Sequence, residues 1–365
     1  MSQIRVLELK GEGLALGRAH GESLRELIGE FCETAHEIHQ ENLAGSIDRN
    51  DLIELVMKNA WILNRTSPIL YQELTGVAQG ANRSVSEILL INSVLEIEDL
   101  KSPPLNRKLL AREPAGCTSF NIKPRASANH IPILGQTFDM EKYYARFNTV
   151  LKIKGPDGRS RLVYTLAGVL GLNGLNSDGL ALVINKLVAD DSREGVIYPF
   201  LVRMALDHSK IGNSIGTLSF APRASSMCWQ VSSAEGVAFC LETTSRSRAY
   251  ITFRDAQAHT NHFLDPFLRE RESPGWLTHG GTFVRLQVTQ DYLDDFHGRL
   301  DVEGLKELCR NHINQPRSIC AHGLPGESDY FSYATIAAVI MEPTNGIMHI
   351  SGIYPCENIF QTLSL

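Results

Sequence analysis

One cysteine stands where the texture of the chain changes. Cys117 lies in Pro114-Ala115-Gly116-Cys117-Thr118-Ser119-Phe120, with helical patterning before it and short β-rich runs after it. The thiolate is the nucleophilic form of cysteine. An ordinary thiol titrates near 8.5, so it needs a base or a favourable field at neutral pH. A free α-amine, with a pKa of about 7.7–8.0, can accept that proton. An N-terminal cysteine therefore carries nucleophile and base in one residue. Exposing such an amine inside a long chain requires the Gly116–Cys117 bond to break. Gly116 suits this role: it has no Cβ to shield its carbonyl from the thiol, and it tolerates unusual φ/ψ values. Pro114 stiffens the approach. The plain alternative is a buried cysteine at the start of a strand.

Other reactive groups are less specific. Cys320-Ala321-His322, with Cys309 and His312 upstream, is the nearest approach to a metal motif. No CxxC pair accompanies it, and buried cysteines with structural histidines account for the set. No metal or other cofactor is expected, and a metal-dependent amidase using Cys309, His312, Cys320 and His322 is a competing reading. The glycine- and asparagine-rich stretch 168–179 reads as a loop. It lacks G-x-G-x-x-G spacing and a surrounding βαβ unit, so a dinucleotide site is not expected.

The elements around Cys117 follow from periodicity. Ile4, Val6, Leu7 and Leu9, then Gly11-Glu12-Gly13, predict a strand and a turn. Leu24, Leu27, Ile28, Phe31, Ala35 and Ile38 recur at helical spacing. A second helix starts near Asp48 or Asn50. A third follows Ser67-Pro68 and runs to about Gly80, and a fourth starts at Ser84 or Ser86 and carries Ile88, Leu89, Leu95 and Ile97. The polar, proline-broken stretch 101–114 reads as an exposed linker, where a chain can be cut without tearing a core. Beyond it, strands are expected at 118–122, 131–138, 148–153, 162–166, 180–184, 227–231, 236–242 and 250–253. Helices are expected near 197–208, 282–294 and 302–310, with a closing strand pair at 335–341 and 348–351. Many strands and a few long helices indicate an antiparallel α+β body with helices layered on sheets.

Composition narrows the setting. A chain of 365 residues, 43% hydrophobic and 21% charged, is that of a soluble globular protein. The net charge of −6 and the lack of any basic run argue against a nucleic-acid partner. The first ten residues are too charged for the apolar core of a signal peptide. No apolar run reaches the roughly 18–20 residues that span a bilayer, so no membrane association is expected. Seven scattered cysteines, an odd number, argue against a disulfide framework and fit a reducing compartment, so the expected location is cytoplasmic.

Residues 114–120, followed by Gly135-Gln136-Thr137-Phe138-Asp139, resemble the acyl-CoA:6-aminopenicillanate (isopenicillin N) acyltransferase family. Its members are cysteine-type N-terminal-nucleophile (Ntn) hydrolases related to the choloylglycine hydrolases. Later blocks are similar and fall in family order: 171–185, Glu242-Thr243-Thr244, His259-Thr260-Asn261-His262-Phe263, Thr282-Phe283-Val284-Arg285, 318–322 and 352–356. Together they cover nearly the whole chain.

The resemblance implies an α+β fold, an Ntn-hydrolase αββα sandwich of antiparallel sheets over 117–365, preceded by a mostly helical segment, 1–116. It implies a zymogen that cuts itself at Gly116–Cys117 into two chains that stay associated. By motif, Cys117 is the nucleophile, Asp139 holds its amine or thiol, Asn261 donates its amide to the oxyanion, and Arg285 matches the active-site arginine. Asn185 is a second candidate for the oxyanion shell, and Glu242 is structural or lines the pocket. Thr137 and Phe138 stand where the family commonly has Asn and Trp, so they bear on pocket shape. His259, His262 and His322 are expected to be structural, because the amine is the base. The implied activity is amide hydrolysis or acyl transfer through a Cys117 acyl-enzyme. The expected partner is a small N-acyl amide, a peptide-like amide or an acyl thioester. An uncleaved, catalytically silent binding protein on the same fold is the alternative.

Overall fold

The structure, a computed structural model, describes residues 4–42, 49–100, 116–273, 280–324, 326–330 and 332–365. Its strands form two sheets. The eight-stranded sheet runs in the order β1 (Arg5–Lys10), β4 (Asn148–Lys154), β5 (Ser160–Leu166), β6 (Asn173–Asn176), β7 (Leu180–Leu187), β8 (Ser226–Ser233), β9 (Ala238–Thr243) and β10 (Arg248–Ile251). The six-stranded sheet runs β11 (Ala256–His259), β2 (Thr118–Ile122), β3 (Ile133–Glu141), β12 (Tyr333–Glu342), β13 (Ile347–Ser351) and β14 (Gln361–Ser364). Ladders between described strands are antiparallel, with one exception. β1 lies parallel to β4, in the register Arg5↔Thr149 to Lys10↔Lys154. The N-terminal segment is therefore not purely helical: it supplies an edge strand to a sheet made otherwise from residues beyond 117.

Continuous burial explains the strands. β2, β3, β7 and β8 are buried at every position, as strands covered on both faces must be. The two sheets pack face to face, with Phe138 edge-on to Tyr164 at a centroid distance of 5.9 Å. Polar side chains also cross between the sheets. Asn121 Nδ2 donates to Val231 O at 3.1 Å, and Gln136 Nε2 donates to Ile184 O. Helices α10 (Gly281–Asp295) and α11 (Val302–Cys309) cover the six-stranded sheet, and α7 (Tyr198–Leu206) and α8 (Ile211–Phe220) cover the other. A short turn of helix, α9 (Pro266–Arg269), is capped by Asp265. This is the αββα sandwich that the resemblance implied.

Three expectations need correction. Residues 173–176 are a strand, β6, and not part of a loop. Their turn-like composition is used otherwise: Asn176 Nδ2 donates to Leu206 O at 2.8 Å and its Oδ1 accepts from Leu180 N at 2.9 Å. The fourth helix is two, α5 (Val85–Asn92) and α6 (Val94–Leu100), separated at Ser93. The side chain of Asn92, the last residue of α5, grips residues 168–170, donating to Gly168 O at 3.0 Å and accepting from Leu170 N at 2.9 Å. Ser84, not Ser86, caps α5, through a reciprocal box with Glu87. The first helical run likewise divides, at Leu24, into α1 (Gly13–Ser23) and α2 (Arg25–Asn42). The expected linker at 101–114 and the candidate cap Asp48 lie outside the described residues.

The remaining helices, α3 (Arg49–Thr66) and α4 (Pro68–Ala81), complete the N-terminal layer. α1 and α4 approach so closely that a Cβ at Gly17 would sit 1.9 Å from Glu73 O. The layer is fused to the rest by one shared core, in which Phe31 stacks on Phe147 at 4.4 Å. Its strongest polar tie is Glu73 to Arg203, bidentate at 2.6 and 2.9 Å with both side chains buried. Nearby, burial and then Arg203 push the His20 ring down to about 3, so its Nε2 accepts from Gly168 N as a neutral imidazole. Glu73→Gln would remove the bidentate carboxylate that neutralises the buried Arg203 and leave only the weaker pull of Asp207. We expect a loss of about 3–5 kcal/mol, read as a lower urea midpoint. Among the described residues no helix is long and apolar enough to cross a membrane.

Candidate active site

Cys117 sits just before β2, at the mouth of the strand pair β2–β3. It is buried, and the Asp139 backbone and the Gln136 side chain lie near enough to the thiol to favour its ionised form. Burial first, and then the Asp139 carboxylate, push the thiol up to about 12, against the Asp139 backbone, Arg285 and Gln136. The thiol is thus neutral while Cys117 N remains an amide. Tyr164 borders the same space: burial and Cys117 both raise its phenol, whose hydroxyl donates to Asn148 Oδ1 at 2.8 Å. Cys117, Phe138 and Tyr164 belong to one buried cluster, in which the two rings meet edge-on.

Asp139 lies on β3 opposite Thr335, next to a bulge in the β3–β12 ladder. Strand alternation turns it away from Phe138. Its Oδ1 accepts from Thr335 Oγ1 at 2.6 Å. Burial pushes the carboxyl up to about 7, against the pull of Arg285, the Thr335 hydroxyl and Arg317. A carboxyl poised there exchanges its proton at neutral pH, as a general base must.

Arg285, on the buried face of α10, fastens the start of β2. Its Nη1 donates to Cys117 O at 2.7 Å and to Thr118 Oγ1 at 3.1 Å. Its guanidinium also lies against Gly116, where a Cβ would fall 1.9 Å from Nη2. Any side chain at position 116 would therefore displace the arginine. Nη2 donates to Asn261 Oδ1 at 3.2 Å, and Asn261 Nδ2 donates to Lys186 O at 3.0 Å. These two partners fix which end of the Asn261 amide faces which way. Asn261 N donates to Thr282 Oγ1 at 2.9 Å, which ties its loop to the start of α10. Cys117, Asp139, Asn261 and Arg285 thus form one buried group.

The other candidates lie around it. Asn185 spans the two sheets: its Oδ1 accepts from Ser119 Oγ at 2.5 Å and its Nδ2 donates to His259 O at 3.5 Å. Both ends of its amide are occupied by sheet contacts. Glu242 is fully buried and accepts from His259 Nε2, Leu264 N and Asp265 N at 2.7, 2.6 and 3.0 Å. It anchors the loop that carries Asn261. Burial opposes charge on His259, but Glu242 prevails and the ring's pKa is raised. His262 goes the other way, pushed down to about 3 by burial and then by neighbouring cations, and bonds Thr282 Oγ1 at 2.9 Å. Thr137 pairs with Thr118 in register, and its hydroxyl is buried with no hydrogen-bond partner among the described residues.

Sequence reasoning passed over Gln136 as a neighbour of the thiol, Tyr164 as a pocket wall and Thr335 as the Asp139 partner. None carries a nucleophile or base signature, and only the strand register brings them in. The four residues of the metal-amidase reading are not assembled as written. Cys309 is buried in the apolar cluster of Leu305, Leu308 and Ile319, and Cys356 joins the other three instead.

Comparison with known proteins gives these residues a context. The family described as acyl-coenzyme A:6-aminopenicillanic acid acyl-transferase matches residues 128–351, a span that holds Asp139, Asn261 and Arg285 and begins beyond Cys117. The acyl-coenzyme A:6-aminopenicillanic-acid-acyltransferase 40 kDa form of Emericella nidulans is 27% identical over 337 residues, 87% of this chain and 85% of the relative. Among solved structures, a variant of the conjugated bile acid hydrolase from Clostridium perfringens is similar with a TM-score of 0.46 and 12% identity, over 68% of this chain and 97% of that one. Penicillin V acylase from Agrobacterium tumefaciens has a TM-score of 0.42 and 12% identity, over 65% and 83%. The family match spans more than half of the residues, and the chain belongs to the acyl-coenzyme A:6-aminopenicillanic acid acyl-transferase family.

Proposed function

We propose that this protein is a zymogen that cuts itself between Gly116 and Cys117 and then works as a cysteine amide hydrolase or acyltransferase. The observation that carries the reading is the clamp on that bond. One buried guanidinium touches Gly116 and holds Cys117 O at 2.7 Å, beside a carboxyl that titrates near neutrality. In the first stage Cys117 Sγ, deprotonated with the help of Asp139, attacks the Gly116 carbonyl carbon. The C–N bond breaks, the nitrogen takes up the proton, and a thioester remains. Water then hydrolyses the thioester, leaving a carboxylate on Gly116, a free thiol and a free amine on Cys117. The residues 1–116 and 117–365 stay together through β1, the shared core and the Glu73–Arg203 pair.

In the second stage the new amine takes the proton of the same residue's thiol. The thiolate attacks the carbonyl of a small N-acyl amide, a peptide-like amide or an acyl thioester. The amine or thiol leaves with the proton, and the acyl group passes to water or to a bound amine. Asn261, steadied by Arg285 and Lys186 O, supports an oxyanion role, because a positioned neutral amide stabilises that charge. Phe138 and Tyr164 support an apolar acyl group beside the sulfur. The test is a panel of N-acyl amides and acyl thioesters, followed by intact mass of the fragment 117–365. We expect an acyl adduct that maps to Cys117. A single uncut chain that binds panel members and forms no adduct would favour the silent binding protein.

A further inference from the structure

The segment between α11 and β12 folds back over the turn between β13 and β14. It brings His312, Cys320 and His322 to Cys356. One ligand-capable atom from each of the four lies within 4.8 Å of all the others. His322 Nε2 is 3.3 Å from Cys356 Sγ and 3.6 Å from Cys320 Sγ. The rings of His312 and His322 meet edge-on, with centroids 5.1 Å apart. We propose that these four side chains form a structural zinc site that buttresses the catalytic carboxylate from behind.

The donor set identifies the metal. Two sulfurs and two imidazole nitrogens suit Zn²⁺ and exclude Mg²⁺ and Ca²⁺, which take oxygen ligands. In a tetrahedral site with Zn–S near 2.3 Å and Zn–N near 2.0–2.1 Å, ligand atoms stand about 3.3–3.8 Å apart. The observed spread closes to that by movements of about 1 Å or less. Binding releases one proton from each thiol. The two thiolates then balance the charge of the ion, so a neutral group occupies a site where Cys320 is buried and His322 and Cys356 are half-buried.

The surroundings hold the ligands in place, as a second shell does. Tyr354 stacks on His322 at 4.3 Å with an interplanar angle of 4°. Cys320 N donates to Asn311 O at 2.9 Å, and His322 N donates to Pro316 O at 3.1 Å. Four protein ligands leave no open position, so the ion would be structural and would not activate water. That removes the reason to read these residues as a metal-dependent amidase. The link to catalysis is short. Ala321, between two of the ligands, donates its N–H to Thr335 Oγ1 at 2.8 Å, and that hydroxyl donates to Asp139 Oδ1 at 2.6 Å.

The test is the metal content of the full-length protein purified under reducing conditions from zinc-supplemented cells, by elemental and native mass spectrometry. We expect one zinc per chain in the wild type and in Cys309→Ser, and at least about tenfold less in Cys356→Ser and His312→Ala. Titration of metal-stripped wild type with zinc needs no variant to fold, and it should release two protons per ion bound. Reduced wild type that takes up no zinc would overturn the proposal. So would zinc content unchanged in a Cys320→Ser/Cys356→Ser double variant, or peptide mapping that finds Cys320 and Cys356 joined as a disulfide in the metal-free protein from these cells.

Discussion

Cys117→Ala should remain a single 365-residue chain and lose activity toward amides and thioesters by at least about 10⁴-fold. The thiol is the group that attacks in both stages, so removing it stops the first stage and empties the second. The fold should survive. Exchanging a buried thiol for a methyl at one strand end costs about 1 kcal/mol, and the shared core around it is large. Denaturing gels follow the cleavage, a panel assay follows the activity, and a thermal melt shows that the variant is folded. A variant that still separates into two fragments would assign the cut to another group.

The second large effect belongs to Asp139. Asp139→Asn keeps an oxygen for the Thr335 hydroxyl but cannot take a proton, and we expect self-cleavage to slow by about 10²–10⁴-fold. In the wild type the cleavage rate should rise with pH through about 7, as the buried carboxyl ionises, and the variant should lose that rise. Stability moves the other way. In the unfolded chain this carboxyl titrates near 3.9, whereas in the folded protein it titrates at about 7. Between those values the folded state keeps a proton that the unfolded state releases. Stability therefore falls as pH rises from about 4 to about 7 and levels off above. Asp139→Asn is spared that loss, so melts at pH 8 should show it more stable than wild type while it processes slowly. Active sites commonly hold such costly groups.

Much of the fold was legible because its strands are long, apolar and bounded by turn residues. The run 118–122 became β2 end for end, and the pair around Pro343-Thr344-Asn345-Gly346 became the β12–β13 hairpin. Weakly patterned elements were not legible. α8 carries Gly212, Asn213, Ser214 and Gly216, a loop-like composition that tertiary packing overrides. β1 reads as a strand, but its parallel pairing with β4, far along the chain, has no local signature. The same limit applies to the sites. The blocks around Cys117, Asp139, Asn261 and Arg285 were visible in order, whereas Thr335 and Gln136 acquire their roles only through register. In the Cys/His group, nearness in sequence pointed to Cys309, and the fold supplied Cys356.

Both stages of the proposed chemistry begin with the cut at Gly116–Cys117. The most direct measurement is N-terminal sequencing and intact mass of freshly purified wild-type protein. We expect two associated fragments, 1–116 and 117–365, the second beginning with Cys117, Thr118, Ser119. An active enzyme that remains one chain, or a larger fragment that begins at any other residue, would contradict it.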